Sequence, residues 1–167
     1  MKSNLQFDFL TNTENNTLTI RREFNGNRKL VWDCYTKSEL LDQWFAPAGL
    51  TTKTKSMHFS EGGHWHYALV EPNGTEYWNY TEYITIQPID HYKSLDAFSN
   101  EAGEINKDLP RAHLLVSFFD KGENALVETI VTYHSLADLE AVIQMGVKDG
   151  VTLTLERLDT LLLTLRK

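Results

Sequence analysis

Residues 136–167 constrain this chain more than any other stretch. Within them Val151, Leu155, Leu158, Leu162 and Leu165 recur at steps of four, three, four and three. That spacing puts one apolar stripe on an α-helix. Upstream, Leu139, Ile143 and Val147 continue the four-residue steps toward Val151. A helix over the whole stretch would run ~45 Å at about 1.5 Å per residue. It cannot bury such a stripe alone, so the rest of the chain must supply a broad apolar surface. Ser135 is a fitting N-cap, with Asp138 and Glu140 in the first turn favouring the helix dipole. Inside a helix, Gly146 and Gly150 would each cost about 1 kcal/mol relative to alanine. They mark either a notch where a ligand or strand approaches the backbone, or a kink between a short helix and a long one.

The preceding residues read as a sheet that can provide the surface. Residues 5–10 are a frayed lead-in or part of a first strand. Residues 17–24 alternate, with Leu18, Ile20 and Arg22 on one side and Thr19, Arg21 and Glu23 on the other. Two short helices are expected next. The first, residues 28–35, sets Leu30, Val31 and Cys34 near one face. Thr36, with Glu39 three residues later, has the spacing of a capping box for the second, which carries Leu40, Leu41 and Trp44 and stops at Pro47 and Gly49. From residue 50 to 134 strands alternate with turn chemistry: Gly62-Gly63, Pro72-Asn73-Gly74, Pro88 and Lys121-Gly122-Glu123-Asn124. Ala112, Leu114, Val116 and Phe118 share one strand face; Val127, Thr129, Val131 and Tyr133 share another. Residues 99–110 are polar and long for a hairpin loop, hence a candidate lid. The order is strand, two short helices, about six strands, long helix. Short turns between strands imply an antiparallel sheet, and the long helix is the one element large enough to cover it.

Composition narrows the partners. The 167 residues are expected to form one domain, residues 1–167. Net charge is −7, from 23 acidic and 16 basic residues, which disfavours nucleic acid or an anionic membrane surface. Cys34 is the single cysteine, so no intrachain disulfide can form. No apolar run follows Met1-Lys2-Ser3-Asn4 and no window is apolar enough to span a membrane, so a cytoplasmic protein is expected. No dinucleotide, phosphate-loop or nucleophile-elbow motif is present, so no cofactor is implied.

The motifs Val31-Trp32-Asp33-Cys34-Tyr35-Thr36, Glu39-Leu40 and Gln43-Trp44-Phe45-Ala46-Pro47 occur in order. Gly62-Gly63 follows, then Pro72-Asn73-Gly74, Pro88, Met145-Gly146, and Gly150 leading into Glu156-Arg157-Leu158. Together they resemble one branch of the SRPBCC (START-like) superfamily, the branch named for the activator of heat-shock protein 90 ATPase. The resemblance covers residues 17–165. It implies an α+β helix-grip fold, a curved antiparallel sheet wrapped around a long C-terminal helix with a cavity between them. In the superfamily such cavities take lipids, hormones, polyketides or other apolar molecules.

On that fold, Trp44, Phe45, Trp65, Tyr67, Trp78, Tyr80 and Phe98 are expected to line the cavity, with Met145, Gly146 and Gly150 on the helix side. Aromatic walls with a few polar tips suit a flat or lipid-like ligand; any one ring taken singly more often just fills a core, and it is the set that points to a cavity. The catalytic candidates are Glu82 and His113. Glu82 is expected to point inward with Trp78 and Tyr80, as a buried carboxylate with a raised pKa. Asp96, His113 and Glu128 form an acid–base set only in a strand register chosen to suit. Cys34, among helix-forming apolar residues, is expected to pack. His64 and His66 lie two apart on one strand face, but Trp65, Tyr67 and Leu69 take the apolar side. The histidines are expected to face solvent, and no metal site is expected.

The functional expectation is a small-molecule binding protein for a hydrophobic or aromatic ligand, not itself an enzyme. Two alternatives stand behind it. One is co-chaperone contact with a heat-shock protein 90 homologue, which the family name suggests. The other is cyclase- or hydrolase-like chemistry in the cavity, which needs an inward acid or base. A homodimer is a further option, through an exposed sheet edge or the Leu161-Leu162-Leu163 run.

Overall fold

The computed structural model describes residues 5–47 and 49–165. Met1-Lys2-Ser3-Asn4, on which the reading of no export signal rests, lies outside them, as do the last two residues of the expected helix. Eight strands and four helices follow one another: β1 Phe7–Asn12, β2 Thr17–Phe24, α1 Arg28–Thr36, α2 Ser38–Trp44, β3 Thr51–His58, β4 His64–Val70, β5 Glu76–Gln87, β6 His91–Phe98, β7 Ala112–Lys121, β8 Asn124–Tyr133, α3 Leu136–Gln144 and α4 Val147–Leu165. The strands form one antiparallel sheet in the order β1-β2-β8-β7-β6-β5-β4-β3. α1 and α2 make the single long connection in the sheet order, carrying the chain from β2 to the far edge strand β3.

Cross-strand partners share a face, so the register assigns every side chain. Leu18, Ile20 and Phe24 of β2, Trp65 and Tyr67 of β4, Tyr83 of β5, Tyr92 of β6, Val116 and Phe118 of β7, and Val127 of β8 all turn inward and are buried. Leu155, Leu158 and Leu162 of α4 bury their stripe among them. α1 and α2 add Val31, Trp32, Cys34, Leu41 and Trp44. The rings meet edge to face, as with Trp32 on Phe118 at 5.0 Å and Tyr35 on Trp44 at 5.0 Å. That arrangement favours aromatic pairs beyond their burial alone. Burial pushes the Cys34 thiol up to about 12, so the side chain packs as a thiol.

Three local readings are corrected. Of the two readings of Gly146 and Gly150, the break between a short helix and a longer one is what forms, at Gly146, so the C-terminal stretch is not one 45 Å helix. Gly146 takes φ +84° and its N–H bonds the Ile143 carbonyl at 3.1 Å, closing α3 with a left-handed residue. α4 therefore starts afresh and its 19 residues run ~28 Å. Thr36 does not cap α2: it is the last helical residue of α1, and its Oγ1 bonds back to the Trp32 carbonyl at 2.8 Å. Lys37 holds the cap position without a side-chain bond. The cap that does form nearby is Asn27, whose Oδ1 accepts from Leu30 N–H at 2.8 Å. Ser135 caps α3 as its position suggests, accepting from Asp138 N–H at 3.1 Å. Residues 7–12 are a full strand, paired with β2 along its length.

Two arginines fix the helix against its surroundings. Arg22 points inward from β2, pairs with Asp159 of α4, and lies over the Phe24 ring at 5.0 Å. Arg157 reaches the other way, to the Ala46 carbonyl at 2.8 Å and the Leu50 carbonyl at 2.9 Å, tying α4 to the α2–β3 connection. The glycine pair has its own task. Gly62 N–H bonds the Tyr83 carbonyl and Gly63 accepts from Tyr83 N–H. A Cβ on Gly63 would fall 2.0 Å from the His58 carbonyl oxygen.

Candidate functional site

The inner face of β4 to β8 carries an unusual row. Trp65, Thr81, Asp96, Ala112 and Tyr133 stand opposite one another on five successive strands. Its two ends are aromatic and its three middle members are small. At about 4.8 Å per strand the ends lie roughly 19 Å apart, over a floor of threonine, aspartate and alanine. The neighbouring row is Tyr67, Asn79 and Phe98. Trp65 and Tyr67 stack at 3.7 Å, and Phe45 closes against both at 5.1 and 5.8 Å. Trp44 lies behind Phe45 at 5.4 Å, fully buried, its Nε1–H on the Cys34 carbonyl at 2.9 Å. Trp65 is held by a chain of bonds: its Nε1–H donates to Thr54 Oγ1 at 3.0 Å, and Thr54 donates to Asp42 Oδ1 at 2.6 Å.

Asp96 is the chemical centre of the row. Thr81 Oγ1 donates to its Oδ1 at 2.8 Å, and among the described residues no donor takes Oδ2. Burial pushes the carboxyl up to about 6, with the Thr81 bond and the distant Arg111 charge working against that shift. Asp96 is largely enclosed, but part of its surface stays accessible. Tyr67 and Tyr92 are held well above the ordinary phenol range by burial, and Tyr133 is pushed up to about 12, with the Asp96 charge adding to each. All stay protonated phenols near neutrality.

The aromatic set expected to line one cavity divides between the two faces. Trp44, Phe45, Trp65, Tyr67 and Phe98 are on the inner side. Trp78 and Tyr80 are on the outer face, opposite Ala68 and His66. Glu82 goes with them: it is 49% exposed and bonded to Arg111 Nη2 at 3.0 Å. It is not the buried acid the alternation of β5 suggests. His113, opposite Leu95, also faces out. It borders a depression of about 430 Å³ at the strand ends, with Leu109, Arg111, His134 and Tyr133, the far end of the inner row. That depression lies away from the Trp65–Tyr67 wall. Met145 is 73% exposed in the α3–α4 turn beside Gly146. Gly150 sits inside α4 with nothing within 4 Å of a Cβ placed on it.

The outer position of Trp78 and Tyr80 is covered by a segment distant in the chain. Residues 99–110 fold over them instead of forming a lid across the helix side. His66 Nε2 meets the Asn100 carbonyl at 3.0 Å, and Lys55 Nζ donates to the Glu101 carbonyl at 2.7 Å. Lys53 and Lys55 lie over the Trp78 ring at 5.8 and 5.9 Å. His66, expected in solvent, is therefore buried. His64 is lowered by burial and by the neighbouring His66 and His58. Among the described residues no three histidine, cysteine, aspartate or glutamate side chains converge as a metal site would need.

Asp96, weighed in the sequence only beside His113 and Glu128, parts from both: it turns inward and they turn outward. In β6, Tyr92, Ser94, Asp96 and Phe98 alternate with His91, Lys93, Leu95 and Ala97, and neither set is cleanly apolar. Tyr92 and Phe98 share the parity of Asp96, but Leu95 and Ala97 lie on the other, so the sequence leaves open which face Asp96 takes.

An eight-stranded antiparallel sheet gripping a C-terminal helix defines the class: an α+β helix-grip fold of the START-like kind. A crystal structure of a Mycobacterium smegmatis protein matches it with TM-score 0.85 at 25% identity, over 95% of this chain and 96% of that one. A solution structure from Arthrobacter aurescens matches with TM-score 0.85 at 24% identity, over 91% and 88%. Another from Staphylococcus epidermidis gives 0.82 at 27%, over 92% and 93%. The chain belongs to the Activator of Hsp90 ATPase homolog 1-like protein family, a branch of the SRPBCC superfamily, whose family model matches residues 25–163. No protein of curated function matches it. Among the described residues no helix is long and apolar enough to cross a membrane.

Proposed function

We propose that this protein is a cytoplasmic, single-domain binding protein for a small hydrophobic or aromatic molecule, held between the inner face of the sheet and α4. The observation that carries the reading is the small-residue floor Thr81–Asp96–Ala112 between the Trp65 and Tyr133 ends. A floor of that kind beneath a helix is a recess with aromatic walls and one polar anchor, the usual make-up of a ligand site. Phe45, Trp65, Tyr67 and Phe98 supply the walls; Trp44 backs them. Burying about 200 Å² of apolar ligand contributes ~5 kcal/mol before association costs, so burial alone supports at best a sub-millimolar affinity and the polar anchor must add to it.

Native mass spectrometry beside a denaturing run of the same sample tests this. A co-purified mass that leaves on denaturation, or a thermal shift with apolar compounds, supports it. A protein that neither carries nor responds to any such compound overturns it. A second reading is favoured by Asp96 itself: a carboxyl that titrates near neutrality inside an aromatic recess can serve as general acid or base on a bound ligand. Turnover lost in Asp96→Asn with binding retained would support that reading. The protein-partner readings, a heat-shock protein 90 homologue or a second copy of this chain, rank behind both. Stimulated ATPase activity of the homologue, or a concentration-dependent dimer, would raise them.

A further inference from the structure

We infer that the molecule bound on this face carries a protonated amine that pairs with Asp96; the inference rests on the binding reading above. Over its covered part the sheet turns two charged side chains inward, Arg22 and Asp96. Arg22 has its counter-charge, Asp159 of α4. Asp96 has only the Thr81 hydroxyl. The cation closest to it in effect, Arg111, is bound on the outer face to Glu82 at 3.0 Å. Enclosed charges are ordinarily paired. An inward carboxylate with one oxygen untaken by any described donor, and part of its surface still accessible, lacks a cation that the chain does not provide.

The surroundings select for the same chemistry. Trp65, Tyr67, Tyr83 and Phe98 present rings around the recess, and ring faces attract ammonium groups. Ala112, next to Asp96 on β7, leaves room for a head group that a larger side chain would occupy. The net charge of −7 draws cations and repels acids. A carboxylic acid in the recess would confront Asp96, and the inward base, Arg22, is already paired with Asp159. The ligand class is therefore an aromatic or alicyclic amine.

Three probes of one shape test this by fluorescence titration at neutral pH: 1-naphthylmethylamine, 1-naphthalenemethanol and 1-naphthoic acid. The amine should bind about tenfold or more tighter than the alcohol, since a charge-assisted bond outweighs a neutral one, and the acid should bind weakest. Asp96→Asn should bring the amine to the level of the alcohol while leaving the alcohol within about twofold. If the Asn variant fails to fold by circular dichroism, Asp96→Ser provides the same comparison. An alcohol that binds with no advantage for the amine, or an advantage that survives loss of Asp96, overturns the amine assignment alone. Saturable binding by none of the three overturns the binding reading as well.

Discussion

Replacing Asp96 with asparagine should make the protein more stable at neutral pH. The carboxyl titrates near 3.8 in an unstructured chain and at about 6 in the fold. A raised carboxylate pKa means the fold prefers the protonated form. Stability tied to this group is full below the unfolded value and is lost as pH rises through about 6. At pH 7 the enclosed charge costs about 3 kcal/mol, and at pH 4.5 about 1 kcal/mol. Asparagine removes that charge and keeps an oxygen to accept from Thr81, but brings an amide donor whose unmet bond costs about 1 kcal/mol. The net expectation is a gain of about 2 kcal/mol at pH 7 and about zero at pH 4.5. For a chain of this size that gain is roughly 4–8 °C in Tm. Urea unfolding of both proteins at the two pH values measures it. A variant less stable than the parent at pH 7, or an equal gain at both pH values, would refute the reasoning. A stabilising change at this position would also fit a residue kept for binding rather than for folding.

Gly150→Ala should stabilise by about 1 kcal/mol, because a helix interior favours alanine and no atom lies within 4 Å of the new methyl. Gly146→Ala should destabilise by about 1 kcal/mol, since φ +84° is a left-handed conformation that a Cβ disfavours; thermal unfolding of the two variants should move in opposite directions. Arg157→Ala strands the carbonyls of Ala46 and Leu50 and should lower stability by about 2 kcal/mol, with faster amide exchange in the α2–β3 connection. Trp65→Ala should weaken binding of the naphthalene alcohol by about tenfold, whereas Trp78→Ala on the outer face should leave it unchanged; equal losses would place the ligand elsewhere.

Most of the fold was legible from local pattern. Period-two alternation in residues 17–24, 112–118 and 127–133 names the faces those strands bury, and the leucine steps from Val151 to Leu165 name the buried stripe of α4. Helix breaks and caps were read less well, because Thr36 can bond its own helix as readily as cap the next one. The candidate site was half legible. Trp65, Tyr67, Phe45 and Phe98 were named from aromatic content, but so were Trp78, Tyr80 and Glu82, which face outward.

In β5 the sequence offers Trp78 and Tyr80 on one parity and Tyr77, Asn79, Thr81 and Tyr83 on the other, so hydrophobicity points the wrong way. What decides the matter is pairing at a distance. Gly62 and Gly63 lock Tyr83 inward, and residues 99–110 return to cover Trp78 and Tyr80 from outside. Local sequence thus determined which segments are strands and helices, since backbone preference and side-chain period act over neighbouring residues. The inward turn of Asp96 was decided only by tertiary structure. It depends on a register shared by five strands, and register is set by contacts between residues far apart in the chain.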